Sequence, residues 1–270
     1  MNKIKRKIQI YFGKNKKRIL EIHITEHCNL NCKGCAHFAP IAEKSCISLN
    51  KLESMYKNLK PIYNSFFKSI HLIGGEPLLH PEIGKVIELT RKYFPKKEIQ
   101  IVTNGIKIPK MPEEFFEKCN KNNIVFNISR YPISINYKEI CKKLRKHKIK
   151  VLISKKIKKF IYYPLDSKGE KNPLESYNKC KYGGKCIQLK DNKLFSCFLS
   201  AYISHINKYY GTCFTHQKED YLMIDRPITK EVFQNFVSTP KPFCKFCKMK
   251  ESNKFKWQLS TKKKEEWGIE

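Results

Sequence analysis

Cys28, Cys32 and Cys35 stand at C-x3-C-x2-C spacing in "HCNLNCKGCAHF". Thiolates are strong ligands for iron, and three of them hold three corners of a four-iron cube while the fourth iron stays open to another ligand. Structural zinc would take a fourth Cys or His. His27 and His37 lie close by, so spacing alone leaves zinc as the alternative. Three other stretches carry the types a small-ligand site needs: "GGEP" (74–77), "TNG" (103–105) and "SR" (129–130). Gly74 and Gly75 let backbone approach a ligand closely, and Glu76 can accept from an ammonium. Asn104 and Ser129 can bond hydroxyls, and Arg130 can pair with a carboxylate.

A second group of thiols follows. "CIQLKDNKLFSC" (186–197) reads as a hairpin turning at Asp191-Asn192, two residues that tolerate positive φ. That register sets Cys186 opposite Cys197, with Cβ atoms about 5 Å apart. "CKFC" adds Cys244 and Cys247, making four candidate ligands for a cluster or for zinc. Cys180 is a rival ligand and Cys213 a spare. Cys46, Cys119, Cys141 and Cys213 stand apart and read as free, buried cysteines.

Apolar runs of strand length alternate with amphipathic stretches from "ILEIHIT" (19–25) to "KVLIS" (150–154), the pattern of a parallel β/α sheet. The expected fold is α/β, a partial (open) β/α barrel of about six parallel strands, with "KFIYYPL" (159–165) as the weakest strand. In that arrangement the cysteine loop, "GGEP", "TNG" and "SR" all fall at carboxyl ends of successive strands, the edge where such sheets bind ligands. The polar segment 166–176 suggests a boundary between a barrel domain, 1–165, and a small cysteine-rich hairpin domain, 166–270. The last stretch, "KMKESNKFKWQLSTKKKEEWGIE", reads as a short helix with a frayed end and no chemistry.

The net charge of +31 is almost all lysine spread evenly along the chain, without the groove or stripe of a nucleic-acid interface. Nucleic acid is therefore not the expected partner. No window holds 18 uninterrupted apolar residues, so no membrane span is expected. The basic start, residues 1–18, lacks a signal-peptide core and reads as a solvated lead-in, with a membrane-surface anchor as the alternative. Twelve cysteines without a secretory signal point to a reducing, cytoplasmic setting.

"CNLNCKGC" with "GGEP" after the next strand and then "VTNG" resembles the radical S-adenosylmethionine (radical SAM) superfamily over residues 19–165. The resemblance implies a [4Fe–4S] cluster on Cys28, Cys32 and Cys35, with S-adenosyl-L-methionine on the open iron. It implies reductive cleavage to a 5′-deoxyadenosyl radical that takes hydrogen from substrate. Gly74, Gly75 and Glu76 would meet the methionine amino end, and Asn104, Ser129 and Arg130 the ribose or carboxylate. The family commonly has an aromatic residue before the third cysteine to touch adenine. Here it is Gly34, and Phe38 is the substitute. The distal cysteines are similar to the twitch domain, the shortened relative of the SPASM extension, which implies a second, auxiliary [4Fe–4S] cluster on Cys186, Cys197, Cys244 and Cys247. Together these imply an oxidoreductase acting on a polar small molecule, sugar- or aminocyclitol-like, with the auxiliary cluster accepting an electron and a flavodoxin or ferredoxin donating one. A peptide maturase and an epimerase are alternatives of the same class. A zinc-dependent nucleic-acid-binding protein is the alternative from another.

Overall fold

The computed structural model describes residues 18–226 and 228–270. The basic lead-in before residue 18 lies outside them. The first half alternates strand and helix as its apolar periodicity requires: β1 (Arg18–Thr25), α1 (Leu49–Phe66), β2 (Phe67–Gly74), α2 (Ile83–Tyr93), β3 (Glu98–Thr103), α3 (Glu113–Lys121), β4 (Ile124–Ile128), α4 (Tyr137–Lys146) and β5 (Lys150–Ile153). Ser48 caps α1 by accepting from the Lys51 amide at 3.3 Å.

With β7 (Cys186–Lys190), β8 (Lys193–Phe195) and β9 (Tyr221–Met223), the main sheet has the order β5-β4-β3-β2-β1-β7-β8-β9. Its first six strands are parallel, as a partial barrel of about six strands demands. The sixth parallel strand, however, is β7 (Cys186–Lys190), which pairs with β1 from Ile19↔Cys186 to Ile22↔Leu189. The stretch 159–165 does not fill that place. Only β6 (Lys159–Ile161) is a strand there, and it pairs antiparallel with β10 (Lys254–Lys256) in a separate ribbon. Three residues flanked by lysine cannot be covered on both faces as a central parallel strand must be. The end of the chain, expected as a frayed helix, is instead β10 followed by a 3₁₀ turn at Lys264–Trp267.

The hairpin of β7 and β8 (Lys193–Phe195) turns as its sequence predicts. Asp191 and Asn192 have φ of 50° and 57°, and Lys190↔Lys193, Leu189↔Leu194 and Gln188↔Phe195 pair. β9 (Tyr221–Met223) closes the antiparallel end.

Each parallel strand has two unlike faces. Leu20, Ile22, Ile70, Leu72, Ile99, Ile101, Phe126, Ile187 and Leu189 are buried in the main core with the helices. Alternate positions of the same strands are polar: Glu21 and His23 on β1, His71 on β2, Gln100 on β3, Asn127 on β4, Gln188 and Lys190 on β7. Since side chains alternate across a strand, these polar groups line the face turned away from the helices, the barrel interior. A second core joins Phe38 and Ile41 of the cysteine loop to Leu199, Tyr202, Phe243, Phe246 and Trp267 of the C-terminal half. It seats the loop on that half.

Candidate active site

The cysteine loop leaves β1 and is fastened from below by "GGEP". The Gly75 amide donates to Thr25 O at 2.9 Å and the Glu76 amide to His27 O at 3.0 Å. A Cβ on Gly75 would stand 2.1 Å from His27 O, and one on Gly74 2.0 Å from Thr25 O. The glycines are therefore needed for backbone to lie on backbone, whatever else they touch. Gly75→Ala should destabilise the cluster-free protein by roughly 1–3 kcal/mol or more, in the range of overpacking, and lower its iron content after reconstitution. Gly84→Ala is the control, because its Cβ would meet only the flexible Lys118 side chain at 3.1 Å. Denaturant unfolding compares the two, and equal midpoints would refute the close-packing argument.

Glu76, 1% exposed, ties this loop to the next strand end. Its Oε1 accepts from Thr103 Oγ1 at 2.7 Å and the Leu78 amide at 3.1 Å, and its Oε2 from the Asn104 amide at 2.9 Å. Burial raises its pKa to about 7, with those donors pulling the other way. Asn104 is buried and reaches the cysteine loop, its Nδ2 donating to Asn29 Oδ1 at 2.8 Å with Cys28 Sγ at 3.7 Å. Ser129 closes the next strand end, its amide donating to Thr103 O at 2.9 Å. Arg130 is exposed, its guanidinium 5.9 Å over the Tyr137 ring. Its neighbour Tyr131 packs instead beside Trp257, ring to ring at 6.2 Å, and is electrostatically coupled to the thiols. Burial, then Cys32, Cys35 and Cys28, drive the Tyr131 hydroxyl well above its ordinary pKa.

Backbone or indole N–H groups surround the three thiols. Cys28 Sγ accepts from the Leu30 amide at 3.3 Å and Cys32 Sγ from Trp257 Nε1 at 3.3 Å, while the amides of Ala39, His37 and Phe38 pull the Cys35 pKa down against burial. Burial pushes all three pKa values up, Cys32 to about 12, and the neighbouring thiols add to the rise at Cys28 and Cys32. Buried thiolates this close together are stable only beside positive charge, which an iron–sulfur core supplies and the N–H donors complement. The residues fit such a cluster. Among the described residues no three His, Cys, Asp or Glu side chains converge on a single ion. Corners of a polynuclear cluster require no such convergence.

Phe38 is not at hand for adenine. It is fully buried, with its ring 6.1 Å from that of Trp267 in the second core. Gly34 has φ of 61°, and a Cβ there would stand 3.0 Å from Phe255 Cζ, so the C-terminal segment covers the position before the third cysteine.

The distal thiols do not assemble as the simple hairpin register predicts. Pairing is regular to Gln188↔Phe195, but the next bond runs from the Gly184 amide to Ser196 O at 2.9 Å. The slip separates Cys186 from Cys197. Cys186 sits opposite Ile19 of β1 with its thiol on Glu21, and burial, then Glu21, raise its pKa to about 12. Cys197 instead lines one cavity with Cys180, Cys244 and Cys247, beside Tyr163, Tyr177 and Lys241. Burial dominates the thiol pKa values there, about 12 at Cys197 and about 11 at Cys244, and each of those thiols is raised further by Cys180. Cys247 is raised by burial and by Cys197, Cys244 and Cys180 together. Of the isolated cysteines, Cys119 and Cys141 are buried as expected, whereas Cys46 and Cys213 are exposed.

Sequence reasoning also missed a polar cluster just below the loop. Glu26 accepts from His205 Nε2 at 2.7 Å and His23 Nδ1 at 3.2 Å, with Lys190 Nζ at 3.6 Å. Burial works to raise the Glu26 pKa, but these partners override it and hold the carboxyl far below its usual range. An ionised carboxylate only accepts, so His23 Nδ1 carries the proton and Nε2 is a bare acceptor. Among the described residues that atom is buried without a partner. The alternation of Glu21, His23 and Thr25 in "LEIHIT" was the available signal.

A parallel sheet carrying one buried and two half-buried thiols at its carboxyl edge defines an iron–sulfur enzyme on a partial barrel. Residues 22–161, just over half of the chain, match the Radical SAM superfamily model, and the chain belongs to that family. It is a radical SAM enzyme, and the family binds a [4Fe–4S] cluster and S-adenosylmethionine. It is 28% identical over 179 residues to GTP 3′,8-cyclase of Aliarcobacter butzleri, covering 63% of this chain and 53% of that one. It is 35% identical over 97 residues to GTP 3′,8-cyclase of Clostridium acetobutylicum, covering 35% and 30%. The chain thus matches about half or less of these relatives' length. Among solved structures, BtrN in complex with AdoMet and 2-DOIA is similar in fold, with a TM-score of 0.54 at 15% identity, covering 86% of this chain and 93% of that one. Among the described residues no helix is long and apolar enough to cross a membrane.

Proposed function

We propose that this chain is a radical SAM oxidoreductase that oxidises a polar small molecule, with two [4Fe–4S] clusters. The observation that carries the reading is a second set of four cysteines, Cys180, Cys197, Cys244 and Cys247, around one cavity, in the same chain as the three-cysteine loop. When bound, the two clusters and S-adenosylmethionine supply hydrogen-atom abstraction at one centre and a one-electron acceptor at the other. The residues of the chain do the rest. Cys28, Cys32 and Cys35 hold the first cluster. Gly74 and Gly75 bring backbone to the ligand, and Glu76, with three of its roughly four acceptor directions used, keeps one for an ammonium. Asn104 and Ser129 offer polar groups to the ribose, and Tyr131, beside Trp257, is the aromatic side chain near the thiols in place of Phe38. Residues 1–165 form the cleavage domain and 166–270 the auxiliary one, sharing a sheet through β7.

The polar barrel face supports a hydroxyl- or amine-bearing substrate, since among the described residues the buried His23 Nε2 beside it has no hydrogen-bond donor. A cytoplasmic flavodoxin or ferredoxin is the electron source in this reading. Anaerobic incubation with dithionite, S-adenosylmethionine and deuterated nucleotide sugars or aminocyclitols should give 5′-deoxyadenosine carrying deuterium and a product two electrons more oxidised. If deuterium never reaches the 5′ carbon from any of them, the substrate class is wrong. A cyclised nucleotide product formed without net oxidation would favour instead the activity named for the curated relatives.

A further inference from the structure

The C-terminal segment, which carries no recognisable motif, is built onto the cluster loop. The Lys33 amide donates to Gln258 O at 3.0 Å and the Ser260 amide to Asn31 O at 2.9 Å, while Cys32 and Leu259 form an isolated antiparallel bridge. Asn31 Nδ2 adds a bond to Ser260 O at 3.1 Å, and Trp267 Nε1 one to Cys35 O at 3.0 Å. Residues 31–33 thereby gain a partner strand more than 220 positions away. Its register aims one side chain at the metal site: the half-buried Trp257 indole, which donates Nε1–H to Cys32 Sγ at 3.3 Å and lies 6.2 Å, ring to ring, from Tyr131.

We propose that Trp257 is a positioning residue that sets the reduction potential of the S-adenosylmethionine-binding cluster through its N–H···S bond to Cys32. A thiolate ligand gains negative charge when its cluster is reduced. A donor on that sulfur stabilises the reduced form more than the oxidised one and so raises the potential. Hydrogen bonds around the ligands of a metal site are known to tune it in this way. Indole suits the task because Nε1–H is a donor only, with no acceptor to compete, and the ring excludes water from one side of the sulfur. The inference rests on Cys32 being a cluster ligand, which iron analysis of Cys32→Ala tests separately. It does not depend on the substrate.

The test uses the full chain reconstituted with iron and sulfide. A redox titration followed by electron paramagnetic resonance gives the potential of the cluster whose signal changes on adding S-adenosylmethionine. Trp257→Phe keeps the ring and removes the donor, and its potential should move to a more negative value. Trp257→His restores a ring N–H and should move it back toward the wild-type value. The protein has two tryptophans, so labelling the indole nitrogens with ¹⁵N leaves Trp267 as an internal reference. The reduced wild-type cluster should then show a ¹⁵N hyperfine coupling across the hydrogen bond that Trp257→Phe abolishes. That measurement decides the matter even if a variant loads iron poorly. An unchanged potential in Trp257→Phe, a potential in Trp257→His equal to that of the Phe variant, or no ¹⁵N coupling in the wild-type protein would each overturn the proposal.

Discussion

Replacing Cys28, Cys32 and Cys35 together by alanine should remove about four of about eight irons per chain and abolish formation of 5′-deoxyadenosine. The loss is expected to be complete rather than partial. Each sulfur occupies its own corner, and each is set by a separate donor: the Leu30 amide, the Trp257 indole, and the amides after Cys35. The other thiol between β1 and α1, Cys46, is exposed and its backbone is bridged to Thr25. The fold should survive, because Leu20, Ile22 and Ile24 of β1 are buried against the helices independently of the loop. Circular dichroism separates that outcome from simple unfolding. Anaerobic iron and sulfide analysis is the deciding measurement. Full iron content in the triple variant would remove the basis for the cleavage site.

The second large effect distinguishes two cysteines only six positions apart. Cys180→Ala should cost about four irons and the spectral signature of the auxiliary cluster, while the first cluster and cleavage of S-adenosylmethionine persist. Cys186→Ala should keep both clusters. The contrast follows from where the thiols lie. Cys180 lines one cavity with Cys197, Cys244 and Cys247 and raises the pKa of all three. Cys186 answers to Glu21, Lys68 and Lys185 instead. Cys180 Sγ also accepts from the Gly183 amide at 3.3 Å, a donor suited to a thiolate ligand. Iron loss on replacing Cys186, with none on replacing Cys180, would restore the simple hairpin assignment and remove the cavity as the auxiliary site.

Much of this molecule was legible before any coordinates. The three-cysteine spacing is local and sits in a loop held by glycines whose need is visible in "GGEP". The alternation of strands and helices over residues 18–153 follows from side-chain period alone, as does the Asp191-Asn192 turn, whose positive φ both residue types accept. What sequence could not convey is which distant residues meet. A slip between Gly184 and Ser196 exchanges Cys186 for Cys180 as the partner of Cys197, and a register error of this kind leaves no mark on the pattern of residue types. Phe38 reads as a ligand-facing aromatic, yet the second core, built from the C-terminal half, takes it in.

The types and spacings of residues in this chain therefore determined its class: a parallel α/β sheet with an iron–sulfur loop at its carboxyl edge. Tertiary structure alone decided the company those residues keep: Tyr131 beside Trp257, His23 on Glu26 in the barrel, Trp257 on Cys32. The reason is physical. Periodicity reports which face of an element is buried, whereas the identity of a contact across 225 positions depends on how the elements pack.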